Sequence, residues 1–484
     1  MTQTTIACDQ AIFTSIRSPM GEGYRIVAAS RGLKPEEKQA ITRCSPSHEA
    51  LCAPRDESGS DADATGTAFY TLPSGRLCAA FTCNAGAEHT GRGGLRVYTQ
   101  NVVFAETDFA KCGYNPLAVL RAMKAAGMTA PQLCIRTPAL MPGLSSPVLP
   151  SLELAVDASG VQPLDGSLCA LLPRSRRCCV ARCLMDGKAV AVELPKGWTE
   201  WAEALVLGIP GPLRAKVSFG AGLRFSVGRG HCLQIFHDER RAAAGRASAQ
   251  GIRFVDSETS EDAPESEWLS FVERHWSQGD VHGLMRRTSR PFADCSPEAR
   301  ERIGRLYNAT DALPQTESVQ ILSLMTRTLA ELGQGVEREI RLELCDAAGC
   351  TLLDRLSKAR WNDVRALWSP LLNLWRRGGE ATVFAQMLVA CVLRSAVKDD
   401  PQAAAETALD VARDIPVGVD RVSHDGLLNE VLNRLAEATT QLSEASRARL
   451  KDIIHRWQTA RPTCPIVAGL IERCAALQLG VART

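Results

Sequence analysis

Two short segments hold residue types that could handle an anion or a phosphate. Glu88-His-Thr-Gly-Arg-Gly-Gly94 leads into an apolar run from Leu95, and Ser218-Phe-Gly-Ala-Gly-Leu-Arg224 is followed closely by Gly228-Arg-Gly230. Successive glycine amides beside an arginine can form an anion-binding nest, or hold a guanidinium against a nucleotide phosphate. The plainer reading is two tight turns, in which glycine supplies positive φ and arginine is solvated. On residue chemistry alone the turns are the simpler account. The candidate partner- or anion-binding residues are His89, Arg92, Gly93, Gly94, Gly220, Gly222 and Arg224.

Cysteine and histidine offer less. Eighteen cysteines are spread through the chain, none in a C-x-x-C pair, which argues against a zinc ribbon or a thioredoxin-like site. Cys178, Cys179 and Cys183 form the tightest cluster, in a run that reads as a buried strand, where adjacent side chains point to opposite faces. Cys44, His48 and Cys52 are spaced four apart, as ligands on one helical face would be, but Pro46 interrupts that helix. No metal is expected at either trio. Cys83, His89 and Asp108 could meet in a fold as a cysteine-dependent site, as could many other trios. The Walker A, H-E-x-x-H and G-x-S-x-G patterns are absent, which argues against a P-loop NTPase, a zincin and a common α/β-hydrolase. No catalytic residue and no cofactor are expected.

Composition sets the frame for these segments. The 484 residues carry 56 Lys and Arg against 54 Asp and Glu, a net charge of +2 that argues against nucleic-acid binding driven by bulk charge. No run of 18 apolar residues occurs, so no membrane partner is expected, and the opening residues lack a signal-peptide pattern, so the expected location is the cytoplasm.

Around the candidate segments the spacing predicts an α+β N-terminal half. Ala11 to Ile16, Tyr24 to Ser30, Thr67 to Leu72, Arg76 to Thr82 and Leu95 to Phe104 read as strands, and Pro35 to Ile41 as a short helix. Asn115 caps a helix with Pro116 at its first position and Gly127 past its end. Further on, Ser167 to Leu172, Cys179 to Met185, Ala189 to Glu193, Ala215 to Phe219 and His231 to His237 read as strands, with a helix from Thr199 through Leu207. A composition change near 257, after an acidic Asp256 to Pro264 join, predicts a module over 1–256, as one body or as lobes 1–150 and 151–256. An all-α scaffold domain, bundle or irregular α-solenoid, is expected over 257–484. There Trp361, Val364, Leu367 and Trp368 share a helical face, Ser369-Pro370 begins a new helix, and Leu427 to Leu435 and Leu450 to Trp457 repeat the pattern.

The same segments carry a resemblance. Gln10-Ala-Ile-Phe-Thr-Ser15 and Gly23-Tyr-Arg-Ile-Val-Ala-Ala-Ser30-Arg-Gly-Leu33 resemble the opening of the bacterial GTPase-associated proteins. Thr90-Gly-Arg-Gly-Gly94 looks like their S-G-R-x-G-N element. Trp201 to Gly208, Leu213 and Val217 to Arg224 look like their later helix and S-F-x-T-G-L-R stretch. The resemblance covers residues 10 to 237, with Leu95 in place of an Asn, no histidine in Val97 to Asn101, and Gly220-Ala221 in place of the Thr. It implies a non-enzymatic adaptor or regulator, the partner of a small Ras-like GTPase in a bacterial NTP-dependent signalling or conflict system. The alternative it implies is a GTPase-activating protein with Arg92, or secondly Arg224, as an arginine finger.

Overall fold

The computed structural model describes residues 3–18, 21–52, 64–88, 94–129, 148–237, 240–255, 266–376 and 380–400, with scattered positions from 403 to 455. The acidic join Asp256 to Pro264 and the helical patterns Leu427 to Leu435 and Leu450 to Trp457 lie outside the described residues in whole or nearly so. The chain divides into two compact units, Met1–Gly304 and Arg305–Thr484.

The first unit is built on one eleven-stranded mixed sheet. Its centre is antiparallel. Strands β1 (Gln3–Ser18), β2 (Gly21–Ser30), β3 (Thr65–Thr71), β4 (Leu77–Ala87) and β5 (Leu95–Phe104) run in the order β3-β4-β5-β1-β2. The β3–β4 hairpin turns at Pro73-Ser-Gly75, where Gly75 has φ +82° and Leu72 N–H donates to the Arg76 carbonyl at 2.8 Å. Both faces of these strands are covered, so their apolar runs are nearly continuous. Ala68 and Tyr70 face helix α1 (Pro35–Cys44) and pack with its Ala40, Ile41 and Cys44. Phe69 points the other way and stacks on Phe109 at 5.2 Å and Phe219 at 6.1 Å. Short strands β6 (Val148–Leu149) and β7 (Leu152–Asp157) pair with β2 and β1.

Beyond β3 the sheet continues as a parallel wing of four short strands, β8 (Val190–Glu193), β9 (Phe219–Ala221), β10 (Leu233–Phe236) and β11 (Arg253–Val255). β9 joins the wing to β3 in antiparallel register. Strands from before and after residue 150 therefore share one continuous sheet.

Two expected strands are helices. Gly166–Leu171 is capped by Asp165, whose carboxylate accepts from Leu168 N–H at 2.8 Å. Arg174–Met185 is a twelve-residue helix in which Cys178, Cys179, Val180, Ala181, Cys183 and Leu184 are all buried. Burial on almost every side removes the helical periodicity that would have distinguished it from a strand. The opposite-face argument for Cys178 and Cys179 falls with it, and Cys179 and Cys183 lie one turn apart.

The composition change near 257 and the division at 304/305 are different boundaries. The helices Glu267–Ser277 and Val281–Thr288 pack within the first unit. Trp268 and Trp276 donate from their indole N–H groups to the carbonyls of Gly208 and Ala204, at 2.9 and 3.1 Å. Gly208 leaves room for this approach, because a Cβ there would lie 2.7 Å from the Trp276 ring.

In the second unit every described element is helical: Ser318–Ala330, Gly335–Lys358, Trp361–Val364, Trp368–Arg376 and Glu380–Asp399, with one-turn 3-10 segments at Leu313–Gln315 and Arg365–Leu367. Trp361, Val364, Leu367, Leu371, Leu372 and Trp375 are buried, as their spacing predicts. The helix after them starts at Trp368, one residue ahead of the expected Ser369 cap. No described helix is long and apolar enough to cross a membrane.

Candidate functional site

The two glycine-arginine segments come together on a third stretch of chain. Residues 47–52, between α1 and β3, form a turn in which Ala50 N–H donates to the Ser47 carbonyl at 3.1 Å and Glu49 adopts φ +55°. The Arg224 N–H donates to the Ala50 carbonyl at 2.8 Å, and Cys52 N–H donates to the Gly222 carbonyl at 3.0 Å. Leu51 and Leu223 form an isolated antiparallel bridge between them. From the other segment, Gly94 lies against the same turn: with φ +79°, a Cβ there would sit 3.0 Å from His48 Nε2 and 3.3 Å from Glu49 Oε1.

Glycine is needed at 222 on two counts. Its φ is +71°, and a Cβ would come 2.5 Å from the Thr65 carbonyl and 2.8 Å from the Trp198 ring. Gly220 is required by space alone, since a Cβ would come 2.9 Å from the His231 ring. These glycines serve close packing of the 47–52 turn and of β9, not an open nest. Arg224 is exposed at the end of this segment, and its carbonyl accepts from Arg229 Nη1 at 2.8 Å. Its guanidinium is thus presented from a backbone held on both sides.

His89, Arg92 and Gly93 lie outside the described residues. The two ends of their turn are well defined. Glu88 N–H donates to the Gly94 carbonyl at 3.2 Å. The Glu88 carboxylate accepts from Ser15 Oγ at 2.8 Å and from Tyr24 Oη at 2.7 Å. Thr14 Oγ1 donates to the Val97 carbonyl, and Val97 N–H donates to Tyr24 Oη. The residues that carry the resemblance in β1 and β2 therefore hold Glu88 and Val97, in the described chain on either side of 89–93. Others do structural work: Gln10 N–H donates to Ser30 Oγ at 3.0 Å, and Gly32 clears the Asp9 carboxylate, which a Cβ would meet at 2.4 Å. That carboxylate pairs with Arg76 at 2.7 Å.

The cysteine trios do not converge. The Cys44 thiol contacts the Arg229 carbonyl at 3.7 Å, and the Cys52 thiol the His237 carbonyl at 3.5 Å. Among the described residues no group of three His, Cys, Asp or Glu is placed to hold a metal ion. Burial pushes the Cys178 thiol up to about 11, whereas a hydrogen bond with Cys179 lowers Cys183 to about 7. Cys83 sits in an apolar cluster with Ile12, Val27 and Tyr98, while Asp108 pairs with Lys111 at 2.7 Å on another element.

This arrangement, in which Ser15 of a long strand and Tyr24 of the adjacent one both donate to the Glu88 carboxylate, lies within a recognised module. Residues 7–140 match the family GTPase-associated protein 1, N-terminal domain type 2. No curated protein matches the chain. No solved structure matches it. The GTPase-associated module so matched runs from β1 past the helix Pro116–Ala125 and includes Glu88, the 89–93 turn and Gly94. The stretch from Val217 to Arg224 lies beyond it in sequence, yet meets it in space at the 47–52 turn. The 47–52 backbone is the part of the site that residue-type reasoning missed. Its role rests on main-chain groups, and the only signal there, the Cys44, His48 and Cys52 spacing, points to a metal instead.

Proposed function

We propose that the chain is a non-enzymatic adaptor or regulator that binds a small Ras-like GTPase in the bacterial cytoplasm, as part of an NTP-dependent signalling or conflict system. The GTPase-associated match at residues 7–140 carries this reading. The glycine-rich turn at 89–93 and the exposed Arg224 are the contact surfaces on the first unit, and the helical second unit is a docking scaffold. Near-balanced charge fits a protein partner better than nucleic acid. Capture of a bacterial small Ras-like GTPase, loaded with GDP or with a non-hydrolysable GTP analogue, tests the proposal. Absence of capture in both states counts against it.

A second reading, GTPase activation by an arginine finger, is favoured by one observation. Arg224 is exposed while its own backbone is fixed by Ala50 and Arg229. A finger of this kind raises GTP turnover by about 10³ to 10⁵. Arg92→Ala and Arg224→Ala chains separate the readings: an adaptor leaves the GTPase rate unchanged in every case, whereas an activator accelerates it until its finger is removed.

A further inference from the structure

A pocket of about 420 Å³ lies between the end of α1, the end of β3 and the segment before β10, and Arg43, Tyr70, Lys216, Ser218, Arg229 and His231 are among its lining residues. Its three cations come from three separate elements: Arg43 from the last turn of α1, Lys216 from the turn before β9, and Arg229 from the 3-10 turn Val227–Arg229. None of the described residues lining it is acidic. Arg43 and Lys216 are exposed and Arg229 is half-buried, so charge is concentrated around the opening.

His231 lines the same pocket but is only 2% exposed, and neither of its ring nitrogens has a hydrogen-bond partner. Buried polar groups are almost always paired, so two unpartnered ring nitrogens on a residue that lines a cavity leave hydrogen-bonding capacity for a ligand group to complete. Burial pushes this histidine down to about 3, which keeps the ring neutral, with one N–H to donate. Ser218 Oγ accepts from Cys232 N–H at 3.0 Å, which leaves its own hydrogen to donate into the pocket. Gly220 permits the histidine to sit where it does, and Tyr70 packs on its ring at 5.9 Å.

We propose that this pocket binds a phosphoryl-bearing small anion, whose oxygens are taken by Arg43, Lys216 and Arg229 at the opening and by Ser218 and His231 within. Three cations with no acid among them match a group carrying more than one negative charge, and the number of donors suits the three terminal oxygens of a phosphoryl group better than the two of a carboxylate. The site stands apart from the GTPase reading, because it is measured on the full chain alone.

Calorimetric titration of the full chain with inorganic phosphate, pyrophosphate and GTP tests it. Saturable one-to-one binding of at least one of these is expected. Comparable affinity for pyrophosphate and GTP identifies the phosphates as the recognised part, and clearly tighter GTP binding identifies a nucleotide. The Arg43→Glu/Lys216→Glu chain, altered only at exposed side chains, is expected to melt as the wild type does and to bind about tenfold more weakly or worse. His231→Phe, which keeps a ring against Tyr70, is expected to weaken the same anion. Absence of binding by all three anions at millimolar concentration overturns the proposal, as does equal affinity in the charge-reversed chain.

Discussion

Gly222 and His231 both lie between β9 and β10, and local burial governs both. Alanine at 222 must adopt φ +71° and push aside the Thr65 carbonyl, which lies 2.5 Å from the new Cβ. Gly222→Ala is therefore expected to cost about 1–3 kcal/mol or more in chemical denaturation. Gly230→Ala, also at positive φ but in open space, should cost less. His231 makes stability depend on pH. Its folded value, about 3, lies below the ordinary 6.5, so the unfolded chain binds the extra proton between those values. The stability due to its neutral ring is fully present above about pH 6.5 and is lost as pH falls toward 3, by up to about 1.4 kcal/mol per unit. His231→Phe should flatten that part of the stability–pH curve, and a curve unchanged by the substitution would show that the ring is not held neutral.

Elements of the first unit are tied together by buried charge as well as by apolar packing. Glu203, on the helix Trp198–Leu207, is fully buried and accepts from Asn115 Nδ2 at 2.7 Å, Arg121 Nη1 at 2.9 Å and Gln162 N–H at 3.0 Å. Asn115 meanwhile caps the helix Pro116–Ala125 through Leu117 and Ala118 N–H. Glu203→Ala strips three donors of their acceptor at once and is expected to destabilise the unit by about 3–5 kcal/mol in denaturant unfolding. Glu203→Gln, which keeps an acceptor oxygen, should cost less. How legible these elements were follows from their physics. The Leu95–Phe104 strand, the β3–β4 hairpin and the Asn115-capped helix carry local signals, namely a β-prone run after a glycine-rich segment, a Pro-Ser-Gly turn, and a cap followed by proline. The helix Gly166–Leu171 reads as a strand because six residues are too few to show a period, and Arg174–Met185 because the buried run from Cys178 to Leu184 leaves none to count. At the site, Gly220 and Gly222 could be singled out by type, but their neighbours His231, Thr65 and Trp198 are distant in sequence, and so is the 47–52 backbone.

For the whole molecule, the α+β unit and the all-helical unit divide at 304/305, within the helix Pro297–Ala312, after the helix Glu267–Ser277, which carries both Trp268 and Trp276, and the helix Val281–Thr288. Trp276→Ala should unfold that first unit more readily, by about 3–5 kcal/mol, because it empties a site packed against Gly208 and breaks the hydrogen bond to Ala204. The proposed function is that this molecule presents a surface to a GTPase, next to the Glu88 carboxylate held by Ser15 and Tyr24. The most direct measurement is the affinity of the full chain, wild type and Glu88→Ala, for a bacterial small Ras-like GTPase in its GDP and GTP-analogue forms. The account predicts binding that differs between the two nucleotide states and is weakened by Glu88→Ala. No binding in either state, by a chain that is folded, would contradict it.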